Sequence, residues 1–146
     1  MTVPDSDHIA RYCKPMAIED GRLLPTAFML RPEEEYLSVN WLEYLNCSKR
    51  ESEIQGVLAA YSAKQFKPKA SSKIAVLNVG KVRQAVRLES SDGRNLRILH
   101  KPSLPYDPSH SGVHNISPDN ELIAEIIVQL ICDRDIYSTR VKSMSE

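Results

Sequence analysis

Four apolar residues in the first half of the chain recur with the period of an α-helix. They stand at i, i+3, i+4 and i+7 and would form one helix face: Ile54, Val57, Leu58 and Tyr61. Ser48 and Glu51 have the spacing of a capping box, in which each side chain binds a free backbone amide at the helix start. Because proline blocks helix continuation, the pattern predicts a helix that starts at Ser48 and ends before Pro68.

A second helix is predicted near the C-terminus, where residues 122–131 are mostly apolar. Ser117 is a suitable N-cap, and Pro118 fits the first helical position. Asp119 and Glu121 favour the positive end of the helix dipole. The apolar face is wide enough to pack on a sheet and also to contact a second copy of the chain or another partner, so this helix is a candidate homodimer or partner contact.

Short apolar runs and alternating polar and apolar residues predict strands in five segments, which are residues 26–31, 36–41, 74–79, 82–88 and 96–99. Asp92-Gly93 lies between the last two and is typical of a hairpin turn, because glycine accepts a positive φ. The strands occur in groups, with three of them between the two helices, rather than alternating with the helices. We therefore expect an α+β domain, with a mostly antiparallel sheet of four to six strands and two main helices packed on one face.

Residues 36–41 have a second interpretation as the start of a helix. Pro32 and the three glutamates that follow it resemble a first helical turn. Apolar residues nevertheless alternate through the segment, which favours a strand that leads into a helix near Leu42.

The length of 146 residues, with 42% hydrophobic and 26% charged residues, fits one globular domain with a single core. Residues 1–24 contain several turn-forming residues and little periodicity, and they predict an N-terminal arm that is ordered only by packing on the rest. Residues 25–142 form the predicted α+β domain, and residues 143–146 form a frayed tail.

Charge and cysteine usage restrict the class of protein. Basic and acidic residues number 19 each, so no overall positive field favours nucleic acid, and nucleic-acid binding would need a local patch. No run approaches the roughly 20 apolar residues that cross a bilayer, which predicts a cytoplasmic protein without a membrane partner. Cys13, Cys47 and Cys132 are odd in number and widely separated, so we expect reduced thiols rather than a disulfide framework.

The candidate chemistry lies in a stretch rich in prolines and hydroxyls that holds three of the four histidines: His100, His110 and His114. Two imidazoles would serve as general acid and base in metal-independent RNA cleavage, with Lys101 or Arg97 stabilising the phosphorane charge. The alternative is that these histidines make ordinary hydrogen bonds on a strand edge. His110 and His114 lack the further ligands of a zinc site, so neither a metal nor another cofactor is predicted.

Basic residues are concentrated in two places. The predicted hairpin carries a candidate patch for an acidic partner, made of Lys81, Arg83, Arg87, Arg94 and Arg97. The lysine-rich segment from Lys64 to Lys73 is predicted as a solvated loop, with a phosphate-facing patch as the alternative.

Several segments together resemble a family of small, uncharacterised bacterial proteins, namely residues 11–15, 27–31, 37–43, 79–82 and 108–113. The sequences S-V-N-W-L-E at 38–43 and P-S-H-S-G-V at 108–113 are the most distinctive. The resemblance covers nearly the whole chain and carries neither an activity nor a catalytic residue. It implies a bacterial protein that acts within a multi-gene system, such as a defence or conflict locus.

Two functions from different classes follow from these observations. The favoured one is an accessory or adaptor protein whose sheet, basic hairpin and loop bind a larger protein. The alternative is a metal-independent nuclease or toxin-like enzyme that uses the histidine stretch. The enzyme requires two imidazoles and a cation to converge in a cleft, whereas the adaptor requires an exposed contact surface.

Overall fold

A computed structural model describes residues 1–117 and 120–140 of the chain. Its strands are β1 (His8–Cys13), β2 (Ile18–Glu19), β3 (Arg22–Leu23), β4 (Tyr36–Trp41), β5 (Lys73–Asn78), β6 (Arg97–His100), β7 (His110–His114) and β8 (Ile136–Ser138). Its α-helices are α1 (Arg50–Ala63), α2 (Val79–Glu89) and α3 (Asn120–Val128). Six strands form one sheet in the order β6-β7-β4-β1-β5-β8, and every neighbouring pair is antiparallel. The predicted α+β class with a mostly antiparallel sheet is confirmed.

The N-terminal segment contributes a strand to the interior of this sheet. β1 pairs with β5 over six residues and with β4 over two, and Ile9 and Ala10 are almost fully buried. The structure differs here from the arm that the sequence predicts for residues 1–24. Arg11 interrupts the apolar pattern of β1 where the end of this strand borders a cavity with several charged residues in its wall.

Helices cover both faces of the sheet. Ile74 and Val76 of β5 pack with α1, whereas Ala75 and Leu77 pack with α2 and α3. Since successive residues of a strand point to opposite faces, α1 and α3 lie on opposite sides of the sheet. The sequence predicts both main helices on one face. The structure differs because β5 is apolar on both of its faces, and each face needs a helix to cover it.

The segment 82–88 lies within α2, so the predicted strand and the predicted hairpin at Asp92-Gly93 are wrong. Its apolar residues also fit helical spacing, and the buried face of α2 consists of Val79, Val82 and Val86. Asn78 caps the helix by accepting a hydrogen bond of 2.9 Å from the backbone amide of Lys81. The next strand, β6, pairs with β7 instead.

Residues 26–31 do not form the predicted strand. A 3₁₀ turn at Pro25–Phe28 takes their place and buries Phe28 completely in the core. The turn packs on α3, where Asn120 exchanges hydrogen bonds of 2.8 and 2.9 Å with the backbone of Leu30. Contacts that are distant in sequence therefore determine the conformation of this apolar run.

The elements around residues 36–63 agree in part with those predicted from the sequence. Residues 36–41 are confirmed as a strand, but a 3₁₀ turn at Glu43–Leu45 stands where a helix near Leu42 is expected. The helical stripe of α1 is buried as predicted. The capping box at Ser48 is wrong, because the N-cap is Lys49 and it makes no side-chain hydrogen bond.

The C-terminal helix is confirmed as α3, although Pro118, Asp119 and residues 143–146 lie outside the described residues. Its apolar face packs inside the chain's own core through Ile123, Ala124, Ile126 and Ile127. Leu122 is the large apolar residue of α3 that is exposed. The homodimer through this helix stays a prediction.

Candidate functional site

A cavity opens where β1 and β4 separate. Their pairing covers only Ile9 with Trp41 and Ala10 with Asn40, and the side chain of Arg11 follows at the point of separation. Arg11 donates hydrogen bonds from Nε to the carbonyl oxygen of Ala27 at 2.8 Å and from Nη1 to that of Ser38 at 2.9 Å. The cavity has a volume of about 840 Å³ and is bounded by the sheet, the end of α1 and the loop after Phe28.

Arg11 keeps its positive charge in this position. Burial lowers the pKa of its guanidinium, but an arginine side chain remains protonated at neutral pH. Two of its nitrogens are held by main-chain carbonyls, while Nη2 has no acceptor among the described residues. The gap between the strands therefore contains a fixed cation with one donor nitrogen left for a ligand.

A network around Asp107 forms the floor of the cavity. The Asp107 carboxylate is fully buried and accepts hydrogen bonds from Asn40 Nδ2 at 2.8 Å and from Lys64 Nζ at 2.6 Å. Asn40 also donates to Ser109 Oγ at 2.9 Å. A buried carboxylate needs such partners, because leaving it uncompensated is costly. The network joins β4, the end of α1 and the loop that precedes β7.

The charged groups that line the cavity are mostly positive. Six cationic residues contribute to the wall, namely Arg11, Lys14, Arg31, Lys64, Lys67 and Lys69. Two carboxylates oppose them, Glu34 and Asp107. Within residues 1–117 and 120–140, no carboxylate lies within ion-pair distance of four of these cations, which are Lys14, Arg31, Lys67 and Lys69. A cleft lined mainly by one sign of charge concentrates ions of the opposite sign.

The three predicted catalytic histidines do not converge. His100 lies at the end of β6 on the opposite face from His110 and His114, since its strand partner is Ser111. Its ring stacks near Trp41 and Tyr44, with centroid distances of 5.3 and 4.7 Å. One ring nitrogen, Nε2, is 2.7 Å from the carbonyl oxygen of Pro108.

His110 and His114 share one face of β7, but an aromatic ring separates them. Tyr36 lies over Gly112, with ring centroids 6.1 Å from His110 and 5.0 Å from His114. Residues four apart on a strand are separated by roughly 13 Å along the chain, which is too far for an acid and base on one phosphate. The arrangement does not provide the geometry that the nuclease hypothesis requires.

The two imidazoles of β7 also differ in their surroundings. His110 lines the cavity and its Nδ1 is 2.8 Å from the carbonyl oxygen of Lys101. Nε2 of His114 is buried and has no hydrogen-bond partner among the described residues. Burial, followed by the charges of Lys101 and Arg97, lowers the pKa of His114, so its ring is neutral near neutral pH.

The five basic residues of the predicted hairpin do not form one ribbon. Lys81, Arg83 and Arg87 lie on α2, and Arg97 lies on β6. Arg83 is bound to Asp5 and Asn95, and Arg87 to Asn95. Arg94 is 7% exposed and donates to the carbonyls of Asn115 and Ile116. It stabilises the chain between β7 and α3 and does not belong to an exposed patch.

Among the described residues, no cysteine lines the cavity. Burial raises the pKa of Cys13 to about 11, so this residue remains a thiol at neutral pH. In the part of the chain that the structure describes, no group of three or more histidine, cysteine, aspartate or glutamate side chains is arranged to hold a metal ion.

Sequence reasoning missed most of the residues that build the cavity. Arg11 belongs to the segment 11–15 of the resemblance, but neither Arg11 nor Asp107 is marked there as a site residue, because their partners lie in distant segments. Two signals point to the site nonetheless. The lysine-rich segment had a phosphate-facing patch as its alternative, and Lys64, Lys67 and Lys69 do line the cavity. Asn40 belongs to the S-V-N-W-L-E sequence.

Comparisons of the chain with protein-family models, with curated proteins and with solved structures found no match. Among the described residues, no helix has both the length and the apolar character needed to cross a membrane.

Proposed function

We propose that this protein binds a small anionic ligand in the cavity between β1 and β4. The observation that carries the proposal is the surplus of cations around the cavity, four of which have no carboxylate partner among the described residues. Like charges that line one cavity repel one another, and an anion relieves that repulsion. The volume of about 840 Å³ lies in the range of small-molecule sites.

Binding fits this geometry better than catalysis does. In the floor of the cavity, Asn40 Nδ2 donates hydrogen bonds to the Asp107 carboxylate and to Ser109 Oγ. The rings of His110 and His114 are kept apart by Tyr36. A pre-organised polar floor with a cationic rim orients a ligand without offering a paired acid and base.

The test is a titration of the purified chain with inorganic triphosphate and with citrate by isothermal calorimetry. We expect saturable binding with one ligand per chain, weaker at high salt because the attraction is screened. A Lys67→Glu/Lys69→Glu variant, in which two exposed charges that line the cavity are reversed, is expected to weaken binding by at least about tenfold.

Lys81→Glu provides a matched control. Lys81 is exposed on α2 and does not line the cavity, so this change alters the net charge without altering the site. We expect it to leave the affinity within about twofold of the original. The proposal would be overturned if neither anion binds saturably, or if Lys81→Glu loses as much affinity as Lys67→Glu/Lys69→Glu does.

The hypothesis of a larger protein partner stays a prediction. The exposed part of its basic surface reduces to α2 and Arg97, since Arg94 is buried. The guanidinium groups of Arg83 and Arg87 donate hydrogen bonds to the side chains of Asp5 and Asn95 of the same chain. An Arg83→Glu/Arg87→Glu variant that recovers a given partner as well as the original chain does would count against this surface.

A further inference from the structure

Three aromatic rings form one wall of the cavity. Tyr12, Tyr61 and Phe66 meet edge to face, with centroids 5.0 to 6.0 Å apart and planes 86 to 88° apart. Tyr61 is buried, whereas Phe66 remains 41% exposed. An exposed phenyl ring on a ligand-sized cavity offers an apolar surface that a planar ring of a ligand can cover.

Cations follow this aromatic ring directly in the chain. Lys67 and Lys69 come after Phe66, and both line the same cavity. Pro68 stands between them and restricts the backbone, because its ring fixes φ. The segment thus presents an aromatic surface and two ammonium groups at a limited range of separations. Stacking next to positive charge is the combination that proteins use for nucleotides.

A hydrogen-bond acceptor lies at the floor of the cavity. Asn40 is 3% exposed, and its Nδ2 is oriented by donation to the Asp107 carboxylate and to Ser109 Oγ. Its Oδ1 accepts no hydrogen bond from the described residues, yet Asn40 lines the cavity. Because this oxygen is open to the cavity, a hydroxyl or amino group of a ligand can donate a hydrogen bond to it.

We infer that the ligand is a nucleoside phosphate. Its base stacks on Phe66, its phosphate contacts Lys67 and Lys69, and a ribose hydroxyl or an exocyclic amine donates to Asn40 Oδ1. This inference rests on the proposed function, since it names the class of anion that occupies the same cavity. An anion that has neither a planar ring nor a hydrogen-bond donor would make no contact of this kind with Phe66 or with Asn40 Oδ1.

The experiment compares ligands that differ only by the base. Ribose 5-phosphate and the four common nucleoside 5′-monophosphates are titrated into the full chain by isothermal calorimetry. We expect at least one nucleotide to bind about tenfold tighter than ribose 5-phosphate, as stacking of one base provides. In Phe66→Leu this advantage is expected to disappear, while the affinity for ribose 5-phosphate is kept.

Tyr106→Leu is the matched control, because Tyr106 is an exposed aromatic residue that does not line the cavity. It is expected to preserve the preference for the nucleotide. The inference is overturned if all four nucleotides bind no tighter than ribose 5-phosphate, or if Phe66→Leu keeps the full preference. In those cases binding of inorganic triphosphate would leave the proposed function standing, whereas failure of every anion to bind would overturn both.

Discussion

At the scale of single residues, Gly112 shapes one face of the sheet. A Cβ atom at this position would lie 2.4 Å from Cδ1 of Tyr36, closer than any ordinary contact. The missing side chain lets the Tyr36 ring lie on β7 between His110 and His114. The glycine in the P-S-H-S-G-V sequence is therefore explained by the need for a close approach.

Gly112→Ala is expected to destabilise the fold, because the tyrosine ring must move to make room. The expected loss is about 1–3 kcal/mol in the free energy of unfolding, measured by urea denaturation. In a Tyr36→Ala background the same substitution is expected to cost much less, since the clashing ring is gone. Equal costs in the two backgrounds would show that the ring is not the obstacle.

The lowered pKa of His114 predicts that the stability of the fold depends on pH. Burial, then Lys101 and Arg97, lowers its pKa from 6.5, and only Glu35 acts in the opposite direction. The unfolded chain therefore binds a proton at a pH where the folded chain does not. Stability from this group is fully present above the unfolded pKa and is lost as the pH falls through 6.5 towards the lower folded pKa.

The measurement compares the original chain with His114→Gln by urea unfolding at about pH 7.5 and about pH 5.5. We expect the original chain to lose more of its free energy of unfolding between these pH values than the variant does. Identical losses would mean that other groups cause the pH dependence.

At the scale of elements, the apolar residues of α2 fit both the alternation of a strand and the spacing of a helix face. Valines at 79, 82 and 86 are buried on one helix face, although residues 82–88 also alternate as in a strand. β-branched residues favour strands, so the local preference opposes the observed helix. The cap at Asn78 and side-chain contacts with α3 and β5 favour the helix instead.

Asn78→Ala is expected to destabilise the chain by about 1 kcal/mol, because the backbone amide of Lys81 loses its acceptor. Asn78→Ser retains an oxygen that can cap the helix and is expected to restore most of the loss. Chemical denaturation followed by circular dichroism measures both variants. A serine variant as unstable as the alanine variant would argue against capping as the cause.

At the scale of the whole molecule, the buried carboxylate of Asp107 connects distant parts of the chain. Asn40 comes from β4, Lys64 from the end of α1 and Ser109 from the segment before β7. The same contacts fix the floor of the cavity. Stability and the shape of the candidate site are therefore coupled in one network.

Asp107→Asn is expected to lower the free energy of unfolding by about 1–3 kcal/mol, because an amide donor replaces one of two buried oxygens that each accept a hydrogen bond. Asp5→Asn is the matched control, since Asp5 is 61% exposed in its pair with Arg83. Its expected cost is below about 1 kcal/mol. Similar costs for both substitutions in urea denaturation would contradict the importance of the buried network.

The sequence predicted best those elements whose burial pattern is local. The stripe of α1, the strand at 36–41, the apolar run of β5 and the helix α3 each follow from neighbouring residues. Prediction failed where contacts from elsewhere decide the conformation, as in the 3₁₀ turn at Pro25–Phe28 and in α2.

The chain by itself determined the fold class, because hydrophobic periodicity reports which face of a segment is buried. Only the tertiary structure decided where the candidate site lies. Arg11, Asn40, Lys64 and Asp107 come from separate segments and meet because β1 and β4 diverge. The conspicuous histidines were distributed over two faces of the sheet, since the alternation of side chains in strands depends on register and not on closeness in sequence.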